Sequence, residues 1–132
     1  KSVTDLNGAV ATSQLNTVWY DLIDQIPNAN KQPAIDNVPG MVVALTSGKV
    51  EVLVLDKPTA MAAAYANPDL KMLDFQGDGA FKASPEDVQM GIAVKKGNSD
   101  LLKKINEQLA NISEDDRSKM MEEAIKDQPL SK

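Results

Sequence analysis

The chain contains no cysteine and no histidine. Without cysteine there are no disulfides, no thiolate metal sites and no cysteine nucleophile, and nothing firm follows about compartment. Without histidine the usual general base near neutral pH and the commonest metal ligand are also missing. Hydrolase triads and zinc centres are therefore poor candidates. Aromatics are scarce, with one Trp, two Tyr and two Phe, so a core must rest on Val, Leu, Ile, Met and Ala. No apolar run approaches the roughly 20 residues needed to span a bilayer. Positive charge is in deficit: the formal net charge is -5. A protein that neutralises phosphates needs a basic face, and here Lys and Arg are scattered with no aromatic platform among them, so nucleic acid is not an expected partner. No signal peptide or lipid-anchor motif is present. The chain opens on Lys1 rather than Met, which is expected of a mature or excised piece.

What is present is ordinary globular material. The 132 residues are 42% hydrophobic and 25% charged, enough for one core and short for two. Short apolar runs alternate with helical patterns, which predicts βα units around a largely parallel sheet. A strand is expected over residues 9–15 and a helix over 16–26, where Val18, Leu22 and Ile26 recur one turn apart. A short strand, weakened by Pro33, is expected over 31–37, and a helix over 38–48 with Pro39 in its first turn and Gly48 past its end. The clearest strand is "VEVLVLD", 50–56, continuous enough to be covered on both faces. A helix over 58–67 and a further strand over 70–75 follow.

Residues 76–87 are polar and turn-rich, and 88–97 are expected to be extended. The character then changes. Over 98–112, Leu101, Leu102, Ile105, Leu109 and Ile112 share one face behind an N-cap at Asn98 or Ser99. Over 113–129, Ser113 and Asp116 resemble a capping box, and Met120, Met121, Ala124 and Ile125 form the apolar stripe. The acidic run 114–116 suits a first helical turn, and "GDG" at 77–79 has too few carboxylates around it for a calcium loop. Trp19 and Tyr20 read as core and surface of their helix.

Two strand-to-helix junctions carry chemistry. In open α/β sheets, ligands sit beyond the carboxyl ends of the strands. Asp56 falls at such an edge. Its plain role is N-cap to the helix that follows, and position alone favours that role. A carboxylate there can also neutralise a ligand ammonium, and two oxygens allow both roles. At the other junction, "QLNT" (14–17), Asn16 and Thr17 are good caps, and Asn tolerates left-handed geometry. The same turn can present free amides, a positive helix end and the Thr17 hydroxyl to a carboxylate. Together, the two junctions suit an α-amino acid.

Four stretches then carry a resemblance: "DLNG" followed by "QLNT", "VVALTSGKVEVLVLDKP", "NPDLK" and "GIAVKKGNSDLLKKINEQL". In combination they resemble the extracytoplasmic amino-acid-binding proteins of ABC importers, over nearly the whole chain. The resemblance implies that Thr17 binds the substrate carboxylate and Asp56 the α-ammonium, and that Gln14 faces the substrate side chain, as in some members. Asn16 stands where the family has glycine, which re-aims or narrows the loop at the site. Glu51 stands where the family often has aspartate, with no consequence expected. Members have two lobes, and this chain corresponds to the second lobe, residues 1–88, followed by a hinge-crossing strand and two C-terminal helices, residues 89–132. The missing first lobe normally supplies an arginine and aromatics.

The fold expected is thus α/β, a mostly parallel central sheet flanked by helices, one lobe of a periplasmic-binding-protein-like architecture with a helical C-terminal extension. The function implied is a non-enzymatic solute-binding receptor for a polar amino acid, with an ABC permease as partner and no cofactor, metal or catalytic residue. Amino-acid binding by the chain alone is expected to be weak or undetectable. The location implied is the periplasm or bacterial cell surface, free, lipid-anchored or fused to the permease. The C-terminal stripes are then left to fold back, to pair with another copy or to stay mobile. The alternatives on the same fold are a ligand-sensing ectodomain of a membrane receptor and a cyclohexadienyl-dehydratase-like enzyme. A structural or oligomerisation module built on the two C-terminal helices is a third.

Overall fold

The structure is a computed structural model, and it describes residues 1–127. The chain divides into two compact units, the first spanning Lys1–Val88 and the second beginning at Gln89. The fold class is α/β: a three-stranded, all-parallel open sheet with helices around it, consistent with one lobe of a periplasmic-binding-protein-like fold.

In the first unit the strand order is β2-β1-β3, with β1 at Val10–Thr12, β2 at Asn30–Lys31 and β3 at Val52–Leu53. Ala11 lies opposite both Lys31 and Val52, and Thr12 opposite Leu53. The central position of β1 explains its composition. Ala11, Thr12 and Ser13 are all fully buried, so only small side chains fit, and the two hydroxyls must find acceptors. Thr12 donates to the Pro33 carbonyl at 2.9 Å and Ser13 to the Val54 carbonyl at 2.6 Å. Both strands next to β1 are thereby tied to it by a side chain beyond the ladder itself.

Against the sheet pack Leu22, Ile23 and Ile26, forming one core with Val3, Ala11 and Val54. They come from α1, Val18–Leu22, and the 3-10 turn Ile23–Gln25 that continues it. The expected helix over 16–26 is therefore shorter, tightening to 3-10 geometry before Ile26. Next, α2 (Val38–Thr46) buries Met41 and Ala44. The Asn37 side chain accepts from the Gly40 amide at its start, and Pro39 sits in its first turn. At its end Gly48 has φ +74°, the Gly48 amide donates to Leu45 and the Lys49 amide to Ala44. This is a Schellman closure, and the left-handed residue is the reason for glycine there. Helix α3 spans Lys57–Ala66 and α4 spans Pro85–Val88.

Four expected strands differ from the structure. The first, expected over 9–15, has its ladder confined to Val10–Thr12. The ladder of the 50–56 run is confined to Val52–Leu53, although Val50 and Val54 are buried on either side of it. The 31–37 strand is replaced by Asn30–Lys31, because Pro33 has no amide to give, and pairing resumes as a single bridge between Gln14 and Ile35. Residues 70–75 form no ladder. That segment and the 76–84 loop are held by side chains instead. The Gln25 amide exchanges two bonds with the Lys82 backbone, at 2.6 and 2.8 Å, and the Phe75 and Phe81 rings meet edge to face at 6.4 Å.

In the second unit, residues 89–97 form no strand ladder, and Met90 is fully exposed. Helix α5 spans Ser99–Ala110, with Asn98 as N-cap but without a side-chain bond. Helix α6 spans Glu114–Asp127, and the expected last residues of that helix lie outside the described ones. At its start Ser113 and Asp116 exchange bonds, the Asp116 amide donating to the Ser113 hydroxyl at 3.1 Å and that hydroxyl to the Asp116 carboxylate at 2.6 Å. Leu101, Leu102, Leu109 and Met120 stay partly exposed, and Ile125 is buried. No helix among the described residues is long and apolar enough to cross a membrane.

Candidate functional site

The parallel pairing of β1 with β3 brings the two junctions singled out in the sequence to the same margin of the sheet. Both strands run in one direction, so both chains leave the ladder on one side, β1 through Ser13 and Gln14, β3 through Val54 and Leu55. The Ser13–Val54 bond fastens them together at that point.

After β3 the chain reaches Asp56, the N-cap of α3. One carboxylate oxygen accepts from the Thr59 amide at 2.9 Å, and the other accepts from the Thr59 hydroxyl at 2.8 Å. The capping role is therefore realised, and it is two-pronged. A carboxylate can only accept, so the Thr59 hydroxyl directs its single proton inward. Each oxygen retains unused lone pairs, so the carboxylate offers an incoming group acceptors. Lys57, next in the chain, is turned to the Asp74 carboxylate at 2.8 Å.

After β1 the geometry is the opposite. Asn16 has φ +60°, a left-handed residue in the turn. Asparagine tolerates that conformation better than most residues. The amides of Asn16, Thr17, Val18 and Trp19 donate to no group among the described residues. This turn presents donors. The Thr17 hydroxyl, however, donates to the Gln14 carbonyl at 2.7 Å, so what it offers a ligand is an acceptor and not the donor expected from the sequence. With only five residues, α1 also provides little of the positive helix end that was expected. The donors of this turn are the local amides. Gln14 is tied back, its side-chain amide donating to the Asp36 carbonyl at 3.2 Å.

Two further residues carry roles that sequence reasoning missed. Thr59 had a legible signal, because "DKPT" puts Asp at the N-cap and Thr at the third helical position, the pairing of a capping box with its members exchanged. Glu51 was expected to be without consequence, yet its carboxylate accepts from the Val10 amide at 2.9 Å, closing the start of β1. Tyr20 and Trp19 pack against the core, and the Lys31 ammonium lies 4.3 Å from the centre of the Tyr20 ring.

A cavity of about 320 Å³ in the first unit lies elsewhere. It is bounded by β3, α3 and residues 70–75, with apolar walls that include Val54, Leu55, Ala63 and Phe75. None of Gln14, Asn16, Thr17 and Asp56 lines it. The gap follows from the unpaired 70–75 segment, which stands beside β3 without bonding to it. The candidate site is instead an open sheet margin of two turns, one bearing donors and one bearing acceptors. No family model, no curated protein and no solved structure matches the chain.

Proposed function

We propose that this chain carries half of a binding site for a free polar amino acid, as the second lobe of the receptor of an ABC importer. The observation that supports the reading is the complementarity of neighbouring turns. Amides at residues 16–19 that have no partner among the described residues suit a ligand carboxylate, and the Asp56 carboxylate, with lone pairs left over from its cap, suits an α-ammonium. A zwitterion has these two charges on one carbon, and the strand pairing puts the two turns side by side. The resemblance in "QLNT" and "VVALTSGKVEVLVLDKP" assigns Thr17 and Asp56 to these same two charges. In a two-lobed receptor the ligand would bridge the lobes and favour a closed state for the permease to recognise.

Half a site binds weakly, so the chain alone is expected to hold an amino acid with about millimolar affinity. The test is a titration of the isotope-labelled chain with L-serine, followed through its amide resonances. Shifts should concentrate at residues 16–19 and 56–60. Asp56→Asn retains the cap, since Asn and Asp cap equally well, but removes the charge. It should abolish the shifts at both turns with the rest of the spectrum unchanged. Shifts centred on the cavity under α3 instead, or unaltered by Asp56→Asn, would refute the reading. Micromolar affinity by calorimetry would refute the half-site character of the chain.

A further inference from the structure

We infer that Thr59 is a positioning residue for cation recognition at Asp56, and that its hydroxyl sets the preference of this turn for a primary ammonium. The inference rests on the amino-acid reading and adds a residue to it. An N-cap aspartate needs a single oxygen for its cap, and that bond is present: the Thr59 amide to one oxygen at 2.9 Å. Nothing about capping requires the second oxygen to be held. Yet the Thr59 side chain reaches back to it at 2.8 Å, in a half-buried setting. The carboxylate plane is thereby fixed at two points by one residue.

A carboxylate held by one oxygen can rotate about its terminal bond, a soft and broad torsion. Held by both, it presents its remaining lone pairs in one direction, and an ammonium meets a prepared acceptor pair without ordering it first. The second bond also decides polarity. A hydroxyl beside a carboxylate could in principle donate to a ligand, but here its proton is committed to Asp56. The Thr59 hydroxyl therefore offers an incoming ligand no donor. Pro58, between the two residues, has no amide and adds none. Lys57 pairs with Asp74, which offsets the positive charge next in the chain to Asp56.

The probes are L-serine and 3-hydroxypropanoate, which share the carboxylate and hydroxyl and differ by the ammonium. Titrations with the whole chain measure the ratio of their affinities. Thr59→Val keeps the shape and the amide cap and removes the hydroxyl. It is expected to lower L-serine affinity about tenfold, leaving 3-hydroxypropanoate unchanged, so the ratio collapses. Thr59→Ser is expected to preserve it. A purely structural role would move both ligands together. Thr59→Val with the wild-type ratio overturns the inference and leaves the amino-acid reading standing. A wild-type chain that does not prefer L-serine overturns both. Should Thr59→Val not fold, Thr59→Ala gives the same comparison.

Discussion

The hydroxyl of Ser13 donates to the carbonyl of Val54 across 41 positions of sequence, at 2.6 Å and in the interior. Ser13 is the last fully buried residue of the β1 run, and Val54 stands two positions before Asp56. This side-chain bond, beside the backbone bond from the Val54 amide to the Thr12 carbonyl at 3.1 Å, ties the two strand ends together just before the turns of the candidate site. Ser13→Ala removes the donor and leaves the carbonyl without that partner in an environment closed to water. The expected cost is about 1–3 kcal/mol of stability, read by chemical denaturation. A loss below the error of that measurement would mean that the ladder alone holds the strand ends together.

Asn16 tests the backbone of the first turn. Its φ of +60° is left-handed, a region where branched side chains are strained. Asn16→Gly should leave stability within about 0.5 kcal/mol of wild type, whereas Asn16→Val should cost about 1–2 kcal/mol. Equal behaviour of the two variants in a melting experiment would argue that the turn adopts another conformation.

The sequence was legible where a local rule and the tertiary demand coincide. Asp56 before a Pro-containing first turn, Gly48 after α2, and Ser113 with Asp116 all read correctly as helix ends, since capping depends only on neighbours. The left-handed tendency of Asn16 was also readable. Strands fared worse, because a ladder depends on what lies beside it. Residues 70–75 are apolar enough to read as a strand, yet the Phe75 and Phe81 rings meet there and the segment has no ladder. Pro33 broke a strand that its neighbours would have supported. The donor role assigned to the Thr17 hydroxyl failed for the same kind of reason. Which way a hydroxyl donates is decided by the acceptor within reach, here the carbonyl of Gln14. The Ser13–Val54 and Glu51–Val10 bonds link distant positions, and no local pattern announces them.

Helix α2 gives a contrast within one element. Met41 is fully buried and Val43, two residues on, is 64% exposed. Met41→Ala removes packed methylene and thioether groups and should cost about 2–5 kcal/mol. Val43→Ala removes atoms that mostly face water, and stability should change by no more than about 0.5 kcal/mol. Similar losses for both would place Val43 in contact with something that covers it in solution, and an exposure probe at that position would then be protected.

The start of α6 carries the last prediction. The Ser113 hydroxyl accepts from the Asp116 amide at 3.1 Å and donates to the Asp116 carboxylate at 2.6 Å, and the same carboxylate accepts from the Ser113 amide at 3.3 Å. Each residue completes the other's cap, so the pair should behave as one unit. Ser113→Ala should cost about 1 kcal/mol, and Asp116→Ala a comparable amount. The double variant should lose clearly less than the two separate losses combined, because either change alone already breaks the exchange. Amide hydrogen exchange over residues 114–118 reads the effect locally: the first turn of α6 should open faster in each variant, with α2 and α3 unaltered. Strict additivity would show that Ser113 and Asp116 cap independently and that the reciprocal arrangement contributes nothing of its own.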